Sequence, residues 1–336
     1  MARRTTLMPR RRPSRGAVRL PATMRAAAID RFGGPEVVTL HTLPVPDVDP
    51  GQVLVAVHTS GLAGWDADIR EGWSPTGRKP RFPLVLGSDG SGTVAAVGSR
   101  VRRFKVGDRV YAASFETSGF HAQYIAVDSD RVAHVPPGLE LKHAGAIPLT
   151  GVTALQGVDD TLSLGEGDTV IVHGAAGGVG SLAVQFAKLR GARVLATATG
   201  DDGVALARRL GADEAVDGKR DDIVEAGRDF APGGVDAVLA FAGGEPLERC
   251  LDALKPGGRL AYPHGVEPAP KKRRGLEILI YDGVVGVREF GRLNRAIHAA
   301  KLRVPIGATY PLAEAARAHE RLAQGHVLGK IVLRIG

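Results

Sequence analysis

The chain has 336 residues, a length typical of about two domains. Hydrophobic residues make up 44% of it and charged residues 24%, which are ordinary values for a soluble globular protein with a large core. The single cysteine, Cys250, excludes an intramolecular disulfide bond and a zinc cluster built from cysteines. A chain without disulfides fits the reducing cytoplasm, which is the compartment that we expect.

The net charge of +8 is concentrated at the start of the chain. Residues 1–23 contain seven arginines and no acidic residue, which leaves +1 for residues 24–336. We interpret residues 1–23 as a basic disordered extension, with an anionic partner or a misassigned start codon as the alternatives. The extension lacks the apolar core of a secretory signal. Because the remainder is nearly neutral, we do not expect nucleic acid as a partner.

The region from about residue 24 to residue 140 is predicted to be rich in strands. Short apolar runs such as Val53–Val57 and Val94–Val97 recur there, separated by Gly, Pro and Asp. Spacings of about 8–12 residues between such runs are typical of a barrel-like β unit.

After Pro136 and Pro137 the pattern changes to strands that alternate with helices. The predicted strands are Thr169–His173, Arg193–Thr197, Val235–Ala240, Arg259–Tyr262 and Val284–Val287. Predicted helices, such as Val179–Arg190, lie between them. This alternation with short connections indicates βαβ units and a parallel sheet. The last 45 residues contain two predicted helices and a closing strand, Lys330–Leu333.

A glycine-rich loop joins the strand Thr169–His173 to the helix that follows it. The 19 residues from Thr169 to Ala187 carry no charge, but their glycines favour a strand, a loop and a helix over a membrane span. In a dinucleotide-binding loop, one glycine lets backbone approach the pyrophosphate and another lets the helix pack on its strand. We assign the approach to the pyrophosphate to Gly177 and the packing of the helix to Gly180. Cofactor contacts are expected along the whole loop. The loop residues concerned are Ala176, Gly177, Gly178, Val179 and Gly180.

The end of the second predicted strand indicates which dinucleotide is bound. A carboxylate there would bind the ribose hydroxyl of NAD and repel the 2′-phosphate of NADP. Thr197, Ala198 and Thr199 occupy this edge, and no carboxylate occurs before Asp201. The sequence therefore favours NADP(H), although Asp201 or Asp202 in a tilted loop could reach the ribose and favour NAD.

Seven short motifs, spread in order over residues 24–335, together carry a resemblance to a known family. They are Phe32–Val37, Leu86–Gly92, Val106–Val110, Leu149–Ala154, the glycine loop, Leu210–Asp213 and Gly329–Leu333. Together they resemble the zinc-free quinone oxidoreductase branch of the medium-chain dehydrogenase/reductase superfamily. The resemblance implies an α/β protein with two domains and a homodimeric assembly. A GroES-like β-rich catalytic domain would span residues 24–142 and 288–336, and a Rossmann domain with a doubly wound parallel sheet would span residues 143–287.

The resemblance also bears on metal binding. Where the zinc-dependent relatives have a cysteine and a His-Glu pair, this chain has Ala63 and Ser88-Asp89. We therefore expect no zinc. Because alcohol oxidation in those relatives uses the metal to stabilise an alkoxide, the chemistry left is hydride delivery to an electrophilic carbon. A quinone or a conjugated C=C, as in an enone or enoyl thioester, is the expected substrate.

Further site residues follow from the same resemblance. The expected cofactor contacts beyond the loop are Thr150, Thr197, Thr199, Lys219, Phe241, Ala242, Pro263 and Lys330. Lys219 could equally be an ordinary surface lysine. Trp65 and Trp73 form a candidate apolar wall of the substrate pocket, and Asp66 and Asp68 are candidate polar groups in it. Core packing and solvated carboxylates are the respective alternatives, and no catalytic residue can be assigned.

Two other functions fit the same sequence. The chain could be a reductase dedicated to one unsaturated biosynthetic intermediate. It could also be a non-catalytic NADPH-binding sensor whose basic extension contacts nucleic acid.

Overall fold

The computed structural model describes residues 20–115 and 119–336, so most of the predicted extension lies outside the described residues. The first part of the chain is built mainly of strands. Its elements are β1 Thr23–Ile29, β2 Thr39–Pro44, β3 Gln52–Leu62, α1 Gly64–Glu71, β4 Leu84–Val85, β5 Asp89–Val97, β6 Arg109–Ala113, β7 Tyr124–Asp128, β8 Val132–His134 and α2 Leu141–Ala144.

The second part alternates strands and helices and returns to strands near its end. Its elements are α3 Pro148–Gln156, β9 Thr169–His173, α4 Gly180–Leu189, β10 Arg193–Ala198, α5 Gly200–Arg209, β11 Glu214–Asp217, α6 Ile223–Phe230, β12 Val235–Ala240, α7 Glu245–Asp252, β13 Leu254–Pro263, β14 Glu277–Tyr281, α8 Val287–Ala300, β15 Ile306–Pro311, α9 Ala315–Ala323 and β16 Lys330–Arg334.

Six strands form one parallel sheet, in the order β11-β10-β9-β12-β13-β14. The central strand β9 is buried at every residue, as expected for a parallel strand covered by helices on both faces. The strand order reverses between β9 and β12, and ligands of such sheets bind at that point, outside the carboxyl ends of the strands.

The other sheets are mostly antiparallel. The larger one has the order β15-β16-β3-β5-β6-β8, with β7 paired to β3, and the smaller has the order β2-β1-β4. The last strand, β16, lies antiparallel to β3, so that Ile331 faces Leu62. Residues from the end of the chain therefore complete the sheet that begins near residue 52. A β-rich unit beside a doubly wound parallel sheet confirms the predicted α/β fold class.

Helix α8 joins the two halves of the molecule. Its Phe290 and Leu293 belong to the same buried cluster as residues of α3 and α4. The hydroxyl of Tyr111 on β6 donates a 2.6 Å hydrogen bond to Asn294, and the Tyr111 ring meets Phe290 edge-on. The packing around α8 is therefore continuous from the parallel sheet to the β-rich unit.

One predicted strand is wrong. The sixth strand of the parallel sheet is β14, whereas the sequence predicts Val284–Val287. Val284 lies in a loop and is largely exposed, and Val287 begins α8. Among the described residues, no helix is both long and apolar enough to cross a bilayer.

Candidate active site

The glycine loop joins β9 to α4 at the point where the sheet order reverses. Gly174 has a φ of +77°, which glycine adopts without strain, and its carbonyl accepts a hydrogen bond from the Gly177 N–H at 3.1 Å. A Cβ on Gly180 would stand 2.2 Å from the Gly174 carbonyl oxygen, so glycine is required there. Val179 precedes the first residue of α4. The structure thus brings the predicted loop residues together at a helix N-terminus, where backbone N–H groups favour an anion.

The start of β16 lies directly on this loop. The Gly329 N–H donates to the carbonyl of Ala176 at 2.7 Å, and Gly329 pairs with Gly177 as an isolated bridge. A Cβ on Gly178 would stand 2.7 Å from Cδ of Lys330. The Lys330 side chain therefore crosses the loop at a place that only a glycine leaves free.

Lys330 is the main charge at this junction. Its side chain is buried, with the residue 4% exposed, and its Nζ has no hydrogen-bond partner among the described residues. Nζ lies 5.4 Å from the centre of the Trp65 ring. A buried ammonium without a partner is costly unless an anion meets it. The pyrophosphate of a dinucleotide on the glycine loop is such an anion, so these residues fit the expected cofactor.

Two buried carboxylates lie near the Lys330 charge. Asp66 accepts hydrogen bonds from the N–H of Ala63 at 2.8 Å and from the N–H and hydroxyl of Ser88 at 3.0 and 2.7 Å. Burial raises the pKa of Asp66, and the positive charge of Lys330 partly offsets that rise. Asp66 therefore ties the start of α1 to the segment before β5. It is neither a solvated loop carboxylate nor a free group in the pocket.

Asp89 plays a similar part between the two halves of the molecule. Its carboxylate accepts a 3.0 Å hydrogen bond from the N–H of Leu149 on α3. Burial raises the pKa of Asp89 to about 6, against the opposing effect of Lys330. Among the described residues, no group of three or more His, Cys, Asp or Glu side chains is arranged to hold a metal ion.

The structure separates the two predicted wall residues. Trp65, in the first turn of α1, packs against the apolar core that includes the parallel sheet. Trp73 lies beyond the end of α1 and is 50% exposed, and Asp68 is also exposed. Trp65 therefore stays a candidate for the pocket, whereas the side chains of Trp73 and Asp68 are exposed to solvent.

Two threonines expected to contact cofactor use their hydroxyls internally. The Thr197 hydroxyl lies 2.6 Å from Nδ1 of His173, and both residues are buried. The Thr150 hydroxyl donates to the Ala146 carbonyl at 2.9 Å within the start of α3. The Thr150 hydroxyl could therefore contact a cofactor in this conformation only as a hydrogen-bond acceptor.

The edge next to β10 carries paired charges that the sequence alone does not reveal. Thr199 is exposed at the start of α5, and Lys219 is exposed two residues after β11. Asp201 pairs with Arg220, which also binds the buried Asp217. Asp202 lies 3.1 Å from Nε2 of His326. Arg220 and His326 were not among the predicted site residues. Arg220 could have been identified from the sequence, because it follows β11, the strand that pairs with β10.

Three further predicted residues lie at the carboxyl ends of strands. Phe241 and Ala242 follow β12, and the Phe241 N–H donates to the carbonyl of His173 at 3.0 Å. Ala242 approaches Gly174 closely, with 3.6 Å between its Cβ and a Cβ built there. Pro263 ends the neighbouring strand β13. Phe241 and Ala242 thus lie beside the glycine loop, and all three residues lie at the carboxyl edge of the sheet, where sheets of this kind bind ligands.

Comparison with known proteins agrees with this architecture. Residues 49–137 match the family described as alcohol dehydrogenase GroES-like domain, and residues 210–333 match the zinc-binding dehydrogenase family. The human quinone oxidoreductase is 32% identical over 327 residues, covering 92% of this chain and 97% of that protein.

Solved structures extend the comparison to three dimensions. A crystal structure described as an NAD-dependent alcohol dehydrogenase is 34% identical, with a TM-score of 0.86 over 93% of this chain and all of that one. A mycobacterial structure complexed with NADPH is 30% identical, with a TM-score of 0.82 over 93% of this chain and all of that one. The chain thus belongs to the medium-chain dehydrogenase/reductase superfamily, as an oxidoreductase that uses a nicotinamide cofactor and has quinone oxidoreductases among its relatives.

Proposed function

We propose that the protein transfers hydride from NADPH to a quinone or a conjugated C=C, without zinc. The observation that carries this proposal is the buried ammonium of Lys330, which lies across the glycine loop and has no hydrogen-bond partner in the part of the chain that the structure describes. That position suits a cofactor pyrophosphate held between the two halves of the molecule. The bound cofactor would supply the hydride, and the protein would hold it at the edge beside Phe241 and Ala242.

Independence from zinc is supported by the side chains at the positions of the relatives' ligands. Ala63 offers no ligand atom, and the Ser88 hydroxyl already donates to Asp66. Asp89 accepts from Leu149. These groups serve the internal structure, so the proposed chemistry needs an acceptor that is electrophilic without a metal.

Preference for NADPH is supported by the charges around the adenosine edge. Both acidic residues that could favour NAD already have partners: Asp201 pairs with Arg220, and Asp202 lies 3.1 Å from Nε2 of His326. A 2′-phosphate near Thr199 could replace the carboxylate of Asp201 as a partner of Arg220. The similar mycobacterial structure contains NADPH.

The experiment has two arms. Fluorescence titration should show tighter binding of NADPH than of NADH, and Arg220→Gln should weaken NADPH binding about tenfold with little effect on NADH. Arg274→Gln, at an exposed arginine after β13, is the control. Tighter binding of NADH by the unsubstituted protein would contradict the cofactor preference.

In the second arm, quinones, alkenals and enoyl thioesters are offered with NADPH, and cofactor oxidation is followed. Turnover of at least one member is expected. Activity confined to alcohol oxidation, or stoichiometric zinc by elemental analysis, would refute the proposed reaction. NADPH binding without any turnover would favour the sensor function instead.

We further propose a homodimer in which the edge strands β14 of two copies meet. β14 ends the parallel sheet, and Ile280 on it is 51% exposed. Val284 and Val287 extend the apolar surface beyond the strand. An exposed apolar edge strand is a template for pairing with another chain.

The cytoplasm is the proposed compartment, because the chain has one cysteine and no disulfide framework.

A further inference from the structure

The indole N–H of Trp65 is a buried donor with nothing to bind. Nε1 is shielded from solvent and has no hydrogen-bond partner among the described residues. An indole nitrogen can only donate, so no rearrangement of its own hydrogen satisfies it. A buried polar group without a partner destabilises the folded state, and a ligand acceptor would remove that cost.

The position of Trp65 indicates where such a ligand lies. The residue follows Ala63 by two positions at the start of α1, yet it packs against the core that includes the parallel sheet. Its ring lies 5.4 Å from Nζ of Lys330, whose side chain crosses the glycine loop at Gly178, so Trp65 approaches the loop from the β-rich side through Lys330. This is the junction in which the proposed hydride transfer takes place.

Lys330 lies over the face of the Trp65 ring, whereas the indole N–H lies in the plane of the ring. The ammonium lies 5.4 Å from the ring centre, within the range of a cation–π contact. A cation on the face draws electron density from the ring and makes the in-plane N–H a better donor. In the proposed function, the N–H groups of the glycine loop and Lys330 donate hydrogen bonds to the cofactor pyrophosphate. The Trp65 N–H is then free to donate to a different acceptor.

Two other hydroxyl groups that could donate a hydrogen bond to the substrate already donate one within the protein. The Ser88 hydroxyl donates to Asp66, and the Thr150 hydroxyl donates to the carbonyl of Ala146. Both donors would have to break a buried hydrogen bond before they could reach a substrate. Trp65 would have to break none.

We propose that Nε1–H of Trp65 donates a hydrogen bond to the carbonyl oxygen of the conjugated substrate, and that Trp65 is a catalytic residue. This inference rests on the proposed function. A hydride brings an electron pair that forms the new C–H bond at the β-carbon. The C=C pair shifts to form a C=C between the α-carbon and the carbonyl carbon, and the C=O pair moves onto oxygen. The resulting enolate oxygen receives the indole hydrogen bond, and a proton from water then completes the saturated carbonyl product.

The indole keeps its own proton throughout, so its effect is electrostatic. A donor aimed at a developing oxyanion lowers the barrier more than it strengthens ground-state binding. The expected signature of its loss is a fall in kcat with a smaller change in KM. A wall that merely packs against substrate would chiefly change KM.

The chain's only two tryptophans make a spectroscopic test direct. In the ¹⁵N-labelled protein two indole N–H signals are expected, and Trp65→Phe and Trp73→Phe assign them. NADP⁺ is added first, then 2-cyclohexen-1-one, which cannot be reduced by the oxidised cofactor. We expect the Trp65 signal to move downfield on addition of the enone and the Trp73 signal to stay. Cyclohexene, which lacks the oxygen, should not produce the shift.

The kinetic arm uses the same variants with NADPH and the best member of the substrate panel. Trp65→Phe keeps an aromatic ring and removes the donor, and kcat should fall about 10- to 100-fold. Trp73→Phe should stay within about twofold, because its indole is half exposed at the other end of α1. An unchanged kcat in a folded Trp65→Phe protein would overturn the proposal.

The two arms separate this inference from the proposed function. If the unsubstituted protein turns over no panel member, the proposed function fails, while an enone-dependent shift of the Trp65 signal still supports the donor. If Trp65→Phe does not fold, the shift in the unsubstituted protein decides alone. A shift caused fully by NADP⁺, with no further change on adding the enone, would mean that the donor serves the cofactor and would overturn the inference.

Discussion

Gly180 and Gly174 approach so closely that a side chain on the first would collide with the backbone of the second. A Cβ on Gly180 would lie 2.2 Å from the Gly174 carbonyl oxygen and 2.9 Å from Cα of Ala175. Both contacts are with backbone, which cannot turn aside as a flexible side chain can. The first turn of α4 is thereby held against the end of β9, and its N–H groups face the place of the pyrophosphate.

We expect Gly180→Ala to move α4 away from the loop and to weaken NADPH binding at least about tenfold. Overpacking of this kind also destabilises the fold, by about 1–3 kcal/mol. Calorimetric titration and urea unfolding measure the two effects. Gly165→Ala is the matched control, because a Cβ there meets no atom within 4 Å. Equal losses in both variants would mean that the close approach at Gly180 is unimportant.

Lys330→Met keeps most of the apolar stem of the side chain and removes its charge. We expect the dissociation constant for NADPH to rise about tenfold or more, since a buried charged hydrogen bond to phosphate is lost. The affinity should also depend less on salt, because a charge contact has gone. Titration at low and high ionic strength tests both points.

Arg334→Met is the control for Lys330→Met, since it removes the same charge from the same strand β16 at an exposed position. Its NADPH affinity should match that of the unsubstituted protein. A Lys330→Met protein that binds NADPH normally would exclude Lys330 from the pyrophosphate site.

Asp89 gives a pH dependence of known sign. Its pKa in the fold is about 6, above the ordinary value of 3.8, so the protonated form stabilises the fold at low pH. That contribution is lost as pH rises through about 6. Asp89→Asn retains an oxygen that can accept from Leu149 and no longer titrates. The stability of this variant relative to the unsubstituted protein should therefore increase between about pH 4 and about pH 7, by on the order of 3 kcal/mol.

Urea unfolding of both proteins across this range checks the expectation, because the difference between them cancels the titration of every other group that behaves alike. Asp47→Asn, the same substitution at an exposed position, is measured in parallel as the control. A flat difference for Asp89→Asn, or one that decreases with pH, would contradict the assignment.

Ile280→Lys should prevent pairing of two β14 strands, because it places a charge on the exposed apolar edge. Light scattering coupled to size exclusion should give a mass near twice 35.2 kDa for the unsubstituted protein and near 35.2 kDa for the variant. Leu40→Lys, at an exposed leucine on β2 of the small sheet, is the control and should remain dimeric. A monomeric unsubstituted protein would refute the proposed assembly.

The parts of the molecule that could be predicted from sequence are those whose cause is local. The glycine loop is one, since the strand before it, the glycines and the helix after it are contiguous. The misplaced sixth strand has a different cause. Val284–Val287 has the composition of a strand, but β14 is set by its pairing with β13, in which Leu279 faces Ala261. Such pairing depends on the whole sheet.

The site also contains relationships that no local pattern can show. Trp65 and Lys330 meet because β16 returns to β3, which brings the end of the chain beside the start of α1. His326 meets Asp202 for a similar reason. The sequence identifies Trp65 as an aromatic residue near the cleft, but the free N–H and the cation on its face emerge only when distant segments are packed together.

The pairing of β16 with β3 also has a consequence for synthesis of the protein. The stretch Thr59–Leu62 of β3 pairs with β16, and its first two residues also pair with β5 on the other side. During translation it is made early, whereas its second partner is made only after the entire parallel sheet. Until then a strand edge that is buried in the folded protein has open N–H and C=O groups while the nascent chain is still on the ribosome. Chaperone demand and misfolding of this protein should therefore be greatest in that interval, and ribosome-bound chains stalled before β16 should aggregate more readily than chains stalled after it.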